Sequence, residues 1–304
     1  MGLFSKGRIN IVITNRFLRY TYPKKNKKGT LAFGEEKLPE GVIKDGKIDK
    51  DVAFSKIINK LVKKHKWKGK NLYFCIPDDT VVIRQMQISA ALSKEEANAY
   101  VRNQIGVSIH LPFADPSIAI EFLSKEQENQ NILLFAYPKE KITAFQAVFK
   151  EAGLKSVAVD LTSLSVYRYY YQQRDKEKEN VLHIHWNQDA LELTAYRDHK
   201  AIFIRYMKIE ALDEVDSEQA KQVITEYTRE ITRIIDFYQY SITKGEANIN
   251  LLLLTGDFPF LKLVREELKN VTTIPLHNIR EELPIKFVDA LGLALKPEVR
   301  KGEQ

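Results

Sequence analysis

The chain has 304 residues, 44% of them hydrophobic and 29% charged, enough apolar material for about two ordinary domains and incompatible with a disordered chain. Its formal net charge of +7 comes largely from lysine clusters at Lys24 to Lys28 and Lys56 to Lys70. The single cysteine, Cys75, excludes an intramolecular disulfide, and no apolar run reaches the roughly 20 residues needed to span a bilayer.

The first strand is Ile9 to Thr14, and Phe17 to Tyr22 alternates as its hairpin partner. The loop Pro23-Lys24-Lys25-Asn26-Lys27-Lys28-Gly29 leads into a strand at Thr30 to Phe33, followed by a polar connection. Asp51 to His65 places Phe54, Ile57, Ile58, Leu61 and Val62 at helical spacing, with lysines opposite. Leu72 to Ile76 is a short apolar strand, closed by Pro77 and two aspartates. Thr80 to Ile88 is β-branched and alternating, with Val81, Ile83 and Gln85 on one side and Val82, Arg84 and Met86 on the other. Ser93 and Glu96 form a capping box, because hydroxyl and carboxylate each satisfy an orphan amide of the first turn; this helix carries Tyr100 and ends near Gly106. A proline-stiffened turn at Leu111-Pro112-Phe113 precedes strands at Ser117 to Leu123 and Ile132 to Tyr137. A helix from Lys139 to Ala152, capped by Gly153, a strand from Val157 to Leu161 and a helix carrying Leu164, Tyr167 and Tyr171 follow.

Gln172 to Asn180 is a charged linker. Beyond it the opening order recurs: strands at Val181 to Trp186, Ala190 to Tyr196 and Ala201 to Met207, then a long helix from Ser217 to about Tyr240 with Val223, Tyr227, Ile231, Ile234 and Tyr238 on one face. Asn250 to Leu254 is the next strand, then a helix from Phe260 to Leu268, a short strand at Thr272 to Pro275 and a last helix from Phe287 to Leu295.

Few residues point to chemistry. His183 and His185 share a strand face and could ligate a metal with His199, but no cysteine or carboxylate completes a recognisable spacing, so packing is the plainer role. Asp78-Asp79 follows a proline and reads as a turn before it reads as a carboxylate pair. Cys75, inside an apolar strand, reads as a buried structural thiol, and Tyr167 to Tyr171 as core and interface. The lysine clusters read as solvated faces; anionic phospholipid is the alternative partner, and nucleic acid a weaker one because no recognition module accompanies them. The N-terminus lacks a signal-peptide core, and with the lone cysteine the expectation is a cytoplasmic protein. Lys6 stands where myristoylation of Gly2 wants Ser or Thr.

From Leu72 to Phe122 the order is strand, proline turn, the strand Gln85-Met86-Gln87-Ile88, then Leu92-Ser93-Lys94-Glu95-Glu96, a helix, and Ile109-His110-Leu111-Pro112-Phe113. This block resembles the type IV pilus assembly protein PilM family. Further matches lie at Leu38-Pro39 through Gly46-Lys47-Ile48, at Glu151 to Leu154 through Asp160, at Glu230 to Tyr238 and at Phe287 to Leu295. The resemblance, with the repeated order of elements, implies an α/β actin-like fold of two ribonuclease-H-like halves with an inserted small α+β subdomain and a reduced second half. The expected division is 1–79 with 139–174 for the first half, 80–138 for the insert and 181–304 for the second half.

The resemblance also implies a nucleotide cleft between the halves, built from two Asp-x-Gly turns and a later Gly-Gly turn, where glycine lets amides approach phosphate and aspartate holds the metal. Here the first turn is Val12-Ile13-Thr14-Asn15, the second His185-Trp186-Asn187 and the third Thr255-Gly256-Asp257. The expectation is therefore no cofactor, with ATP and magnesium as the alternative, and a scaffold rather than an enzyme. The implied partner is the N-terminal tail of a PilN-type single-span membrane protein within a pilus assembly platform, in a groove between the first half and the insert, with membrane contact only indirect. Val82, Arg84, Met86, Tyr100 and Phe113 are the candidate contacts, since an extended tail can add to a strand edge and seat apolar side chains in pockets.

Overall fold

The computed structural model describes residues 7–24, 30–173, 179–209, 217–277, 279 and 284–298; most of the first lysine cluster, most of the Gln172 to Asn180 linker and Lys6 lie outside them. In chain order come β1 (Ile9–Ile13), β2 (Phe17–Pro23), β3 (Leu31–Lys37), the two-residue strands β4 (Ile43–Lys44) and β5 (Lys47–Ile48), α1 (Asp51–His65) and β6 (Asn71–Ile76). A small unit follows, with β7 (Val82–Ser89), α2 (Lys94–Gln104), β8 (Pro116–Glu126) and β9 (Asn129–Pro138). The chain returns through α3 (Lys139–Glu151), β10 (Lys155–Leu161) and α4 (Thr162–Gln172). Then come β11 (Asn180–Trp186), β12 (Ala190–Arg197), β13 (Lys200–Lys208), α5 (Ser217–Phe237), β14 (Leu251–Thr255), α6 (Leu261–Val271) and β15 (Leu276–His277), and last α7 (Val288–Ala294), which packs back against β1, β2 and α4.

Two sheets carry the duplication. The first is ordered β3-β2-β1-β6-β10 and the second β13-β12-β11-β14-β15. In each, a central strand pairs antiparallel with its hairpin partner and parallel with the strand after the first long helix. Alternation explains why β1 and β6 are buried along nearly their whole length. Ile9, Ile11, Ile13, Leu72, Phe74 and Ile76 face α1 and α3, whereas Val12, Tyr73 and Cys75 face α7. Under α1 and α3 the core is aromatic, with Phe54 and Phe145 ring centroids 5.6 Å apart. The small unit is a sheet ordered β7-β9-β8, its core made by Ile88, Ile132 and Leu134 against Ala97 and Val101 of α2. Ser93 accepts from the Glu96 amide and Glu96 returns to the Ser93 amide, so the capping box forms.

Several elements differ from expectation. The connection after β3 contains the β4-β5 hairpin, turned by Asp45 at φ 52° and Gly46 at φ 64°, the left-handed pair an Asp-Gly hairpin uses. β15 is Leu276–His277 rather than Thr272 to Pro275, because Pro275 has no amide for the ladder and the parallel pairing with β14 begins at Leu276. The long α5 ends at Phe237 and continues as a five-residue π-helical turn, Tyr238–Ile242.

Candidate functional site

The tips of the β1-β2 and β11-β12 hairpins meet at the seam between the halves. Asn15 Nδ2 donates to Asp189 Oδ2 at 3.1 Å, joining the two tips directly. The space they enclose with Pro77, Thr162, Glu192 and Tyr206 is about 10 Å³, room for one water. Burial pushes the carboxyl groups of Asp189 and Glu192 up in pKa, that of Glu192 well up, with Asp78, Asp79, Asp189 and Asp289 adding to the shift.

Behind the tips lies Arg19 of β2, whose side chain is 1% exposed. Its guanidinium pairs with Glu35 Oε2 at 2.8 Å, with Asp289 Oδ2 of α7 at 3.4 Å and with Asp257 of the third turn. These carboxylates hold the guanidinium more basic than usual despite burial. Asp257, which stands in the third turn where the resemblance implies glycine, is thus neutralised by Arg19, and it also accepts the Gln188 amide at 3.0 Å. Gly256, at φ 118°, packs so tightly that a Cβ would fall inside the Trp186 carbonyl oxygen. Its glycine serves this close approach.

A metal site is likewise not assembled. His183 Nε2 and His185 Nδ1 share the Thr255 hydroxyl at 2.7 and 2.8 Å, and burial lowers the pKa of both, that of His183 to about 3. His199 is elsewhere, bonded to the Tyr167 hydroxyl and packed on Tyr171. Among the described residues no group of three or more His, Cys, Asp or Glu side chains is placed to hold a metal ion. The residues at the seam do not fit a nucleotide's phosphates and magnesium: neither hairpin tip carries glycine, and side chains fill the gap. A polar cleft of about 950 Å³ opens beside the seam, where Arg16, Lys37 and Lys208 share the lining with Asp45, Asp49 and Asp189.

The second concavity lies where the small unit joins the first half. Asp78, in the turn after β6, accepts the Thr162 and Ser163 amides at 2.8 and 2.9 Å and so caps α4 from outside. Asp79 pairs with buried Lys141 of α3 at 2.8 Å, and Lys141 also donates to the Asp45 carbonyl at 2.6 Å. The Asp78-Asp79 pair is therefore a turn and a tie, locking the β4-β5 hairpin, the turn and α3 into one floor.

Above this floor is an open cleft of about 450 Å³, lined by Val81, Val82, Pro112 and Phe113 with Asp45, Lys47 and Glu140 at its rim. Val81 also lines an adjoining apolar cleft of about 280 Å³, walled by Ile118 and Ile120 of β8, Phe135 of β9, Ile142 of α3, and Val159 and Leu164. The walls are two sheet edges: β8 ends the small sheet and β10 ends the first sheet. Edge strands carry unpaired amides and carbonyls, so this groove offers backbone hydrogen bonds beside apolar pockets.

Of the five candidate contacts, the structure brings Val82 and Phe113 together in the open cleft. Arg84 is exposed on β7 and donates to the His110 carbonyl. Met86 is half-buried in the cluster beneath α2, and Tyr100 is exposed on α2. β7 is an edge of its sheet, but β13 of the second half lies against it. Sequence reasoning did not single out Ile118, Ile120, Ile142, Val159 and Leu164, which line the apolar cleft; the signal available was the β-branched alternation of Ile118 and Ile120 next to a second strand bounded by glycine and helix.

The family model described as Type IV pilus assembly protein PilM matches residues 23–210. A chain of a solved PilM-PilN type IV pilus biogenesis complex superposes with a TM-score of 0.77 at 18% identity, covering 98% of this chain and 99% of that one. A Bacteroides thetaiotaomicron protein of actin-like ATPase fold and unknown function gives 0.54 at 10% identity over 96% of both chains. The ethanolamine utilization protein EutJ from Carboxydothermus hydrogenoformans gives 0.53 at 11% identity, over 97% of this chain and 91% of its own. At these identities the structural likenesses establish an α/β actin-like fold.

Proposed function

This chain belongs to the type IV pilus assembly protein PilM family, and from that premise we propose that it is a scaffold of a type IV pilus-like machine that holds the extended tail of a PilN-type membrane partner without using nucleotide. The observation that carries this reading is the groove under the small unit, with two open strand edges, an apolar floor and a wider mouth at Val82 and Phe113. The tail adds as a strand along β8 or β10, seats apolar side chains between Ile118, Ile120 and Val159, and passes Val81 into the open cleft. The resemblance to a chain from a PilM-PilN complex supports the partner class. The seam supports the nucleotide-free part, since Asn15-Asp189 and Arg19-Asp257 already bridge the halves. Among the described residues no helix is long and apolar enough to cross a membrane; the proposed site of action is the inner face of the cytoplasmic membrane, where the partner's tail tethers the chain. On the same reading the working division is a first half at 1–79 and 139–174, an insert at 80–138 and a second half at 181–304.

The test is fluorescence anisotropy of a labelled peptide copying the partner's N-terminal tail, with and without magnesium ATP. Saturable binding unchanged by ATP, lost in Ile120→Asp and kept in Arg84→Glu, is expected. Binding that requires ATP overturns the nucleotide-free part, and binding lost in Arg84→Glu but kept in Ile120→Asp moves the site to the β7 edge.

A further inference from the structure

The lysines at the far end of the first half form a single basic surface. α1 ends with Lys63 and Lys64, both exposed, and Lys66 adopts a left-handed conformation at φ 58° that stops the helix. Buried Trp67 then anchors the loop, stacked on His65 at a centroid distance of 4.8 Å, so that Lys68 and Lys70 project. This tip is tied to the α3-β10 tip: the Gly69 amide donates to the Gly153 carbonyl at 2.7 Å and the Lys155 amide to the Lys70 carbonyl at 2.9 Å. Lys150 and Lys155 thereby join the same end, both exposed. Among the described residues none of these lysines has a carboxylate partner, in contrast to Lys60 beside them, which pairs with Glu36 at 2.7 Å. Glu151 is the acidic neighbour, leaving a clear positive excess.

We infer that this lysine-rich end is a docking face for an anionic phospholipid bilayer, contacting lipid directly. Lysines on flexible stems that make no internal pair are free to meet an external anion, and several of them spread over two tied loop tips match a charged surface better than a single small ligand. The face is also placed for it. β10 is an edge strand that begins at Lys155 in the basic face and reaches the groove at Val159, about 13 Å further at strand spacing. At its other end β10 runs straight into α4 beneath the Asp78 cap. An extended segment leaving the apolar cleft along the open β10 edge therefore emerges among the lysines. The orientation, though not the lipid contact itself, rests on the proposed tail reading.

The test is sedimentation of the full chain with vesicles of phosphatidylcholine alone and of phosphatidylcholine with 30% phosphatidylglycerol (about three molecules in ten), with no peptide present, at low and high salt. Expected are binding to the anionic vesicles only and release by salt. Partitioning should fall by roughly fivefold per lysine removed, so by several hundredfold in the quadruple variant Lys64→Gln, Lys66→Gln, Lys68→Gln, Lys70→Gln. Absence of binding to anionic vesicles, or equal binding by the quadruple variant, overturns the inference. Tighter capture by duplex DNA than by lipid in direct competition overturns the choice of a membrane. The parent chain's affinity for the tail peptide is measured alongside: vesicle binding without peptide binding leaves this face standing and removes the groove reading.

Discussion

Replacing Arg19 by Met tests the seam. The side chain is 1% exposed, and its partners Asp257 and Asp289 are 8% and 1% exposed, so the substitution strands two buried carboxylates. Breaking a buried ion pair from one side costs about 3–5 kcal/mol. The pH dependence fixes the cause. Burial already pushes Asp289 up to about 6 with Arg19 present. Its folded pKa thus lies above the unfolded carboxylate value near 4, so ionisation is penalised above pH 6 and the penalty is relieved as pH falls. Without Arg19 the folded pKa rises further. The stability gap between Arg19→Met and the parent should be largest at pH 8 and shrink toward pH 5. Urea unfolding can be followed in each half separately with single-tryptophan variants, because Trp67 and Trp186 are the two tryptophans and lie one in each. A gap under about 1 kcal/mol at pH 8, against the roughly 3–5 kcal/mol expected for a broken buried pair, or one that does not change with pH, would refute the reasoning.

Gly292→Ala should be severely destabilising, by about 3 kcal/mol or more, because its Cβ would fall inside the Ser165 carbonyl oxygen where α7 crosses α4; a thermal melt within a few degrees of the parent would contradict this. Thr255→Val removes the one hydroxyl shared by His183 and His185 and should cost about 2–4 kcal/mol in unfolding free energy, while Thr255→Ser should restore most of it. Cys75 is buried with its thiol pKa pushed well up, so it should resist a thiol reagent at pH 8 in the native protein and react fully in urea; rapid native labelling would place it wrongly.

The local signals were legible because they are local. Asp51 to His65 is α1 with the same ends, the Ser93-Glu96 box forms, and the strands around Ile9 and Leu72 lie where short apolar runs put them. The β4-β5 hairpin was also readable, since Asp45-Gly46 between Ile43 and Ile48 is a strong turn signal, but two-residue strands carry no periodicity. The seam was not readable. Arg19 looks like the outward residue of an alternating strand, and its partners Asp257 and Asp289 lie 238 and 270 positions away. The same holds for the groove, whose walls come from β8, α3 and β10 and become neighbours only when the sheets are assembled.

Seam and groove are mechanically joined, which makes a last prediction possible. Lys200, at the start of β13 in the second half, pairs with Glu121 on the groove wall, and Lys296, just after α7, pairs at 3.2 Å with Asp160 on the same wall. Lys200 is fixed relative to the wall only while the halves stay docked, whereas Lys296 is held through α7, which packs on the first sheet and α4 and is tied to the seam by Asp289; Arg19, paired with both Asp257 and Asp289, is the most buried charge at that junction. On the proposed reading, loosening the seam should cost tail affinity although no seam residue lines the apolar cleft. Under conditions where Arg19→Met remains folded, the tail peptide should bind it about tenfold more weakly, and Lys200→Ala combined with Lys296→Ala should do the same in an intact seam, each tenfold being about 1.4 kcal/mol. Additive losses in the triple variant would mean that seam and wall act independently. A triple variant no weaker than either parent would mean that the seam acts through these two lysines, and an Arg19→Met affinity equal to the parent's would show that the groove is shaped by the first half and the insert alone.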